Sequence, residues 1–222
     1  LTQRDFSQFF KNPRTWNQDL VAIGGDFSID RLLYAYSNGI FPWSENPIRW
    51  YSLDPRAIFN LENVHFSRTV MRKVRNKKFR VTCNEAFAEV MLSCSNRDND
   101  NTWITSGFLK GYSLLHALGW AHSFESWNDR NELVGGVYGI AIGKFFAGES
   151  MFSFSSDAGK VALYHLFDAL RKDGFELFDT QQLNHITWEL GAYEISKNDY
   201  LDRLSNAVRD PDLWRAHLSS TL

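Results

Sequence analysis

The stretch from Ala121 to Asp179 constrains the fold more than any other part of the chain, because its hydrophobic period fits first strands, then a helix, then a strand again. Ala121 to Trp127 alternates as a strand, and Asn128-Asp129-Arg130-Asn131 supplies a hairpin turn. Leu133 to Ile142 and Lys144 to Ser150, separated by Gly143, read as adjacent antiparallel strands. A long helix from about Asp157 to Lys172 carries Val161, Leu163, Leu166, Phe167 and Leu170 and closes at Gly174, and a strand from Phe175 to Asp179 follows at once. That order calls for an α+β sheet with helices packed on it.

Upstream, Ser28 caps a helix through Ile29, Leu32, Leu33 and Tyr36 that exits at Asn38-Gly39, followed by an aromatic turn, Gly39 to Trp43. Ile48 to Ser52 and Ala57 to Leu61 read as short strands broken by Asp54-Pro55. Ser67 caps a helix whose Phe66, Val70 and Val74 form a buried stripe while Arg68, Arg72 and Arg75 share another face. Phe79 to Thr82 is expected as a strand, Asn84 as the cap of a helix through Phe87, Val90 and Met91, and Ser93 to Asn101 as a polar loop. A further helix runs from Gly107 to about Leu118. No repeat or linker interrupts the chain, and a boundary near residue 60 divides a small N-terminal domain, 1–60, from a larger one, 61–222.

The 222 residues include 18 Phe and 8 Trp, enough apolar surface to offset ordering entropy, which excludes global disorder. Cys83 and Cys94 stand eleven positions apart with no CxxC, and the six histidines form no HExxH, so neither a metal site nor a redox motif is encoded. No apolar run approaches a membrane span, and charges are scattered over the first twenty residues. The chain therefore reads as soluble and cytoplasmic, without cofactor or metal, and as a monomer because no extended apolar face is left unassigned.

A net charge of −2 conceals a strong local asymmetry. No acidic residue lies between Glu62 and Glu85, whereas Arg68, Arg72, Lys73, Arg75, Lys77, Lys78 and Arg80 put seven cations within thirteen residues. Such a segment attracts phosphates, reading backbone shape more than base sequence; a plain solvated helix is the bland alternative. Two polar clusters end apolar strands. Gly148-Glu149-Ser150-Met151-Phe152-Ser153 places a carboxylate where it either titrates abnormally or binds a cation or amine, although a surface hairpin end has the same pattern. Asp179-Thr180-Gln181 lies at a strand's C-terminal end, where open sheets hold ligands and where a simple strand cap also fits. Trp43 and Trp103 stand in loop-like surroundings and serve either as stacking platforms or as core caps.

Taken in order, Ile23-Gly24-Gly25-Asp26, Gly39-Ile40-Phe41-Pro42-Trp43, Asp54-Pro55-Arg56, Thr102-Trp103-Ile104-Thr105, Leu133 to Gly139, Gly148 to Ser153 and Asp179-Thr180-Gln181 resemble the leucyl/phenylalanyl-tRNA–protein transferase family. The resemblance implies a small N-terminal domain on a larger domain like the GNAT acyltransferases. It also implies transfer of Leu or Phe, and also Met, from aminoacyl-tRNA to proteins beginning with Arg or Lys, which marks them for N-end rule degradation. Residue by residue, Trp43 and Trp103 match tryptophans that contact the 3′-terminal adenosine, and Glu149, Ser150 and Met151 match the strand beside the aminoacyl group. Val137, Leu163, Leu166, Leu170 and Phe178 match the apolar pocket for the donor side chain. Asp179 and Gln181 match the pair that handles the attacking amine, with Asp179 polarising Gln181 and, like Glu149, suiting an acceptor whose first side chain is cationic. The basic helix would then hold the acceptor stem.

The chain departs from the family pattern at a few places. His185 comes one position early with Ile186 in the place of the usual His, Glu189 precedes Leu190-Gly191-Ala192, Gly159 replaces a Ser, and Val137 replaces a Met. Two rivals stay open at this point. A CoA-dependent GNAT N-acetyltransferase suits the strand-helix order but lacks its Q/R-x-x-G-x-G/A loop, and a non-catalytic RNA-binding module would use only the basic helix and the tryptophans.

Overall fold

The computed structural model describes residues 5–96 and 104–218. Three short strands, β1 (Leu20–Ile23), β2 (Phe41–Ser44) and β3 (Arg49–Tyr51), form an antiparallel sheet in the order β1-β3-β2, with α1 (Ile29–Ser37) between the first two. The expected aromatic turn is thus strand β2. Its turn is confined to Gly39, whose φ of 73° suits a glycine, after which Phe41 and Pro42 pair with β3.

The larger sheet holds seven strands: β4 (Arg56–Phe59), β5 (Arg80–Cys83), β6 (Ala121–Trp127), β7 (Leu133–Ile142), β8 (Phe145–Ser153), β9 (Leu177–Gln181) and β10 (Tyr193–Ile195). Their order is β10-β4-β9-β8-β7-β6-β5. Consecutive strands β6, β7 and β8 form the expected antiparallel meander. The crossover helix α5 (Ala158–Lys172) returns the chain so that β9 lies parallel to β8. The sheet is therefore mixed, with one parallel pair, β8 and β9, among antiparallel ones. Strand β4, four residues wide and ending just short of residue 60, pairs with both β9 and β10 and so already belongs to the larger sheet.

Both faces of the sheet are covered, which is why β7 is buried along nearly its whole length. One face receives α3 (Phe87–Ser95), α4 (Ser106–Ala117), α7 (Lys197–Ala207) and the three-stranded sheet, all sharing one apolar core. Phe27 packs at a tilt of 45° against Phe108 across that junction, ring centres 4.5 Å apart. The other face receives α5 and the C-terminal Trp214, with α2 (Arg68–Arg75) against α5. Close approach of α5 requires Gly135: a Cβ there would meet the backbone of Ala158 at 2.5 Å.

Local capping differs in two places from the sequence expectation, the first being α1, where Ser28 holds the N-cap position but its side chain makes no capping hydrogen bond. Ser67 accepts a hydrogen bond from the Val70 amide, as expected for α2. Asn84 does not cap α3; its side chain turns to β6, accepting from the Ser123 amide and meeting His122 Nδ1, and Ala86 takes the cap position. Helix α3 runs on to Ser95, into the stretch read as loop. Among the described residues no helix is long and apolar enough to cross a membrane.

Candidate active site

The site begins where β8 and β9 part. Their parallel pairing runs from Phe145↔Leu177 to Ala147↔Asp179 and stops, although both strands continue. Each strand carries an irregularity at that point. On β8 the register against β7 passes from Gly139↔Gly148 to Tyr138↔Ser150, which leaves Glu149 as an extra, bulged residue. On β9 the register against β4 passes from Ile58↔Asp179 to Ala57↔Gln181, which leaves Thr180 extra. Bulges re-aim side chains and break pairing, and these two open a cleft between the strands.

Below the cleft lies a cavity of about 190 Å³. Val137, Glu149, Ser150, Met151, Leu163 and Phe178, all named from the family resemblance, line it. Leu166 and Leu170 do not: both are fully buried, packed between α5 and the sheet, and the cavity meets α5 at Leu163 alone. Helical periodicity groups the three leucines on one face but says nothing of where along the helix a cavity ends. Sequence reading missed Phe59, Thr180 and a wall supplied by α6 (His185–Glu189), namely Ile186 and Thr187. Only the Asn184 and Thr187 pair, which caps α6 reciprocally, could have flagged that helix.

Glu149 is the centre of a hydrogen-bond cluster. Tyr36 of α1 donates its hydroxyl to Glu149 at 2.8 Å, Tyr112 of α4 does so at 3.4 Å, and the Gln181 side-chain amide donates at 2.9 Å. Desolvation outweighs those three donors and, with Asp179 nearby, pushes the Glu149 carboxyl up to about 7. With its Nε2 held by Glu149, Gln181 presents an Oε1 that has no partner among the described residues. The Gln181 backbone sits in the left-handed region, φ 65°, a conformation that persists in a non-glycine residue only where neighbours over-determine it.

Asp179 supplies that constraint. Its Oδ1 accepts from the Gln181 backbone amide at 2.7 Å, and no hydrogen bond joins the two side chains. The expected direct polarisation of the Gln181 amide by Asp179 is therefore corrected to a hold on the backbone. The carboxylate is fully buried and paired bidentately with Arg56, at 2.9 and 2.6 Å, and it also accepts from the Tyr200 hydroxyl at 2.8 Å. Arg56 is in turn clamped between the rings of Phe41 and Tyr200, 4.7 and 4.5 Å from its guanidinium, and donates to the Gly39 carbonyl. Burial is the largest single influence and opposes the Arg56 charge, but Asp179 together with the Tyr200 and Tyr36 hydroxyls more than offsets it and raises the pKa. Neutralised and enclosed in this way, Asp179 is not available to an acceptor's cationic side chain. Among the described residues, Glu149 is the one carboxylate lining the cavity.

The remaining expected residues fall elsewhere. Trp43 is half-buried on β2 between Phe41 and Tyr51 and does not line the cavity, and Trp103 lies outside the described residues. Arg68, Arg72, Arg75 and Lys77 are exposed and form no ion pair among the described residues. The other three cations are not a free field: Lys73 is tied to Asp157 at 2.6 Å, Lys78 approaches Asp129 at 3.7 Å, and Arg80 pairs with Glu85 at 3.3 Å. Asp157 and Asp129 come from distant parts of the chain, which a reading by local composition does not see, whereas Glu85 is only five positions from Arg80. Lys73, Lys77 and Arg80 nevertheless line one groove of about 680 Å³, together with His165. Among the described residues no group of three or more His, Cys, Asp and Glu side chains is placed to hold a metal ion.

Comparison with known proteins bears on both units. The family model for leucyl/phenylalanyl-tRNA protein transferase matches residues 58–205, and the model for that family's N-terminal domain matches residues 25–54. A leucyl/phenylalanyl-tRNA–protein transferase of Klebsiella pneumoniae is 47% identical over 199 residues, 88% of this chain and 85% of that protein. One from Pseudoalteromonas atlantica is 42% identical over 224 residues, covering 96% and 95%. Among solved structures, FemX matches with a TM-score of 0.48 at 15% identity, over 76% of this chain and 66% of that one. L-PGS from Bacillus licheniformis matches with a TM-score of 0.42 at 12% identity, over 74% and 54%.

Proposed function

The chain belongs to the leucyl/phenylalanyl-tRNA–protein transferase family, and from that premise we propose that the cleft between β8 and β9 is where it transfers Leu or Phe from tRNA to the α-amine of a protein. Family membership sets aside the acetyltransferase and the non-catalytic readings. The acceptor in this reading begins with Arg or Lys, the tag directs it to degradation, and the larger domain is of the GNAT type.

An aminoacyl ester is already activated, so the protein has to orient two substrates and manage protons. The donor's side chain enters the cavity, whose wall of Val137, Leu163, Phe178 and Phe59 accepts apolar groups and rejects charged ones by desolvation. Its α-ammonium pairs with Glu149. The attacking amine donates to Gln181 Oε1, which Glu149 turns toward the cleft by holding Nε2. The acceptor's α-ammonium first gives one proton to water; as the C–N bond forms and the C–O bond to the 3′-oxygen breaks, a second passes to that oxygen and the third stays on the new amide nitrogen. Asp179, Arg56 and Tyr200 position Gln181 and touch no substrate. The exposed face of α2 and the groove beside it hold phosphates of the tRNA, and Trp43 and Trp103 contact its terminal adenosine.

One observation carries this reading: Gln181, in a constrained backbone conformation, has its amide nitrogen tied to Glu149, which lines the cavity, and its oxygen without a partner among the described residues. The test is transfer of radiolabelled Leu from charged tRNA to peptides beginning with Arg or with Asp. Labelling of the Arg peptide, lost in Gln181→Ala while tRNA binding persists, is the expected result; equal labelling by wild type and variant refutes the role given to Gln181.

A further inference from the structure

The cavity's apolar lining is unequally covered. Phe59, Val137, Leu163, Phe178 and Leu190 are each less than 10% exposed, so the protein itself already buries them, whereas Ile186 is 45% exposed. An isoleucine that lines an apolar cavity and leaves nearly half its surface in water gains from burial only when the cavity is filled.

Its helix does not give way easily. Asn184 and Thr187 cap α6 reciprocally, at 3.0 and 2.9 Å, and the His65 amide donates to the Leu190 carbonyl at 2.8 Å. Lys160 of α5 reaches Glu189 at 3.8 Å. Just beyond, Gly191 has φ 97° and lies so close to the Asn63 carbonyl that a Cβ would sit 3.0 Å from it. Ile186 is therefore a fixed part of the wall of a cavity whose other apolar lining includes five side chains the protein already buries, and its side chain bounds part of that space.

We infer that Ile186 is a specificity-determining residue that sets the size of donor side chain the pocket takes. This rests on the reading of the cavity as the donor pocket. A γ-branched aliphatic donor and an aromatic one differ mainly in length and volume, so shortening or lengthening residue 186 shifts them in opposite directions. Ile186 makes no hydrogen bond to Glu149 or Gln181, so such changes leave the bonds of both to Tyr36, Tyr112 and each other in place.

The experiment measures kcat/KM for Leu-tRNA and for Phe-tRNA with one Arg-terminated peptide, in wild type, Ile186→Ala and Ile186→Phe, with a thermal melt of each. Ile186→Ala is expected to move the ratio toward Phe by roughly tenfold and Ile186→Phe to move it toward Leu by a similar factor, the scale of a few methylenes in a pocket. The peptide KM stays constant in both. Transfer that persists with the donor ratio unchanged in both variants overturns the inference, and a change in peptide KM alone does so by placing Ile186 on the acceptor side. Absence of transfer from either donor in wild type is a different failure, that of the proposed function itself.

Discussion

Helix α2 and the cleft between β8 and β9 hold the two densest groups of polar side chains identified in the sequence, and burial treats them in opposite ways. In α2, Arg68, Arg72 and Arg75 stand in water without ion pairs among the described residues, so each remains free to meet a phosphate and each is screened by salt. In the cleft, Asp179 and Arg56 are enclosed and paired, and Glu149 receives three donors. Exposed charge gives attraction without geometry; buried charge gives geometry, and only because its partners are fixed. The cleft is thus the region suited to chemistry and the helix the region suited to holding a large anion.

The sharpest way to break this contrast is to remove Arg56. Arg56→Met leaves Asp179 buried and unpaired, a loss of roughly 3–5 kcal/mol by chemical denaturation. The triple variant Arg68→Ala, Arg72→Ala, Arg75→Ala is expected to unfold at nearly the wild-type denaturant concentration. Similar losses in both would erase the distinction between the regions.

Next comes Gln181→Ala, expected to lower kcat by about 10²–10⁴ with tRNA affinity unchanged, the range of a lost proton-handling group. A third test uses pH. Burial raises the Glu149 carboxyl from its ordinary 4.5 to about 7 in the fold, so the native state binds its proton more tightly and ionisation costs stability. Stability is expected to decline as pH rises from about 4.5 to about 7, while kcat/KM for aminoacyl-tRNA rises through about 7 as the carboxylate forms. Glu149→Gln should remove both dependences, read by melting curves and by initial rates. The smallest effect concerns salt: each of the three α2 arginines removed should reduce the slope of log tRNA affinity against log salt by about one unit where it meets a phosphate. An unchanged slope would leave α2 as a solvated surface.

The sequence made one of these regions much more legible than the other. The stripe of Val70 and Val74, the Ser67 cap and the free arginines of α2 all follow from local spacing and are all present. The meander β6–β7–β8 and helix α5 were legible for the same reason, since their periods of 2 and 3.6 are local. The cleft depends on register. Whether Glu149 is an extra residue on β8 is decided by which glycine of β7 it faces, and no local pattern states that. Arg56 lay inside Asp54-Pro55-Arg56 in plain view, but its pairing with Asp179 spans 123 positions and needs β4 to be placed beside β9. Leu166 and Leu170 illustrate the converse, a correct face with the wrong depth.

The central claim is that chemistry resides in the cleft and attraction in the helix. Single-turnover transfer of Leu from charged tRNA to an Arg-terminated peptide, with tRNA raised to saturation, tests it directly on Gln181→Ala and on the α2 triple variant. The account predicts that saturating tRNA restores the triple variant to the wild-type rate and leaves Gln181→Ala slow. A triple variant that stays slow at saturation, or a Gln181→Ala enzyme that reaches the wild-type rate, would contradict it.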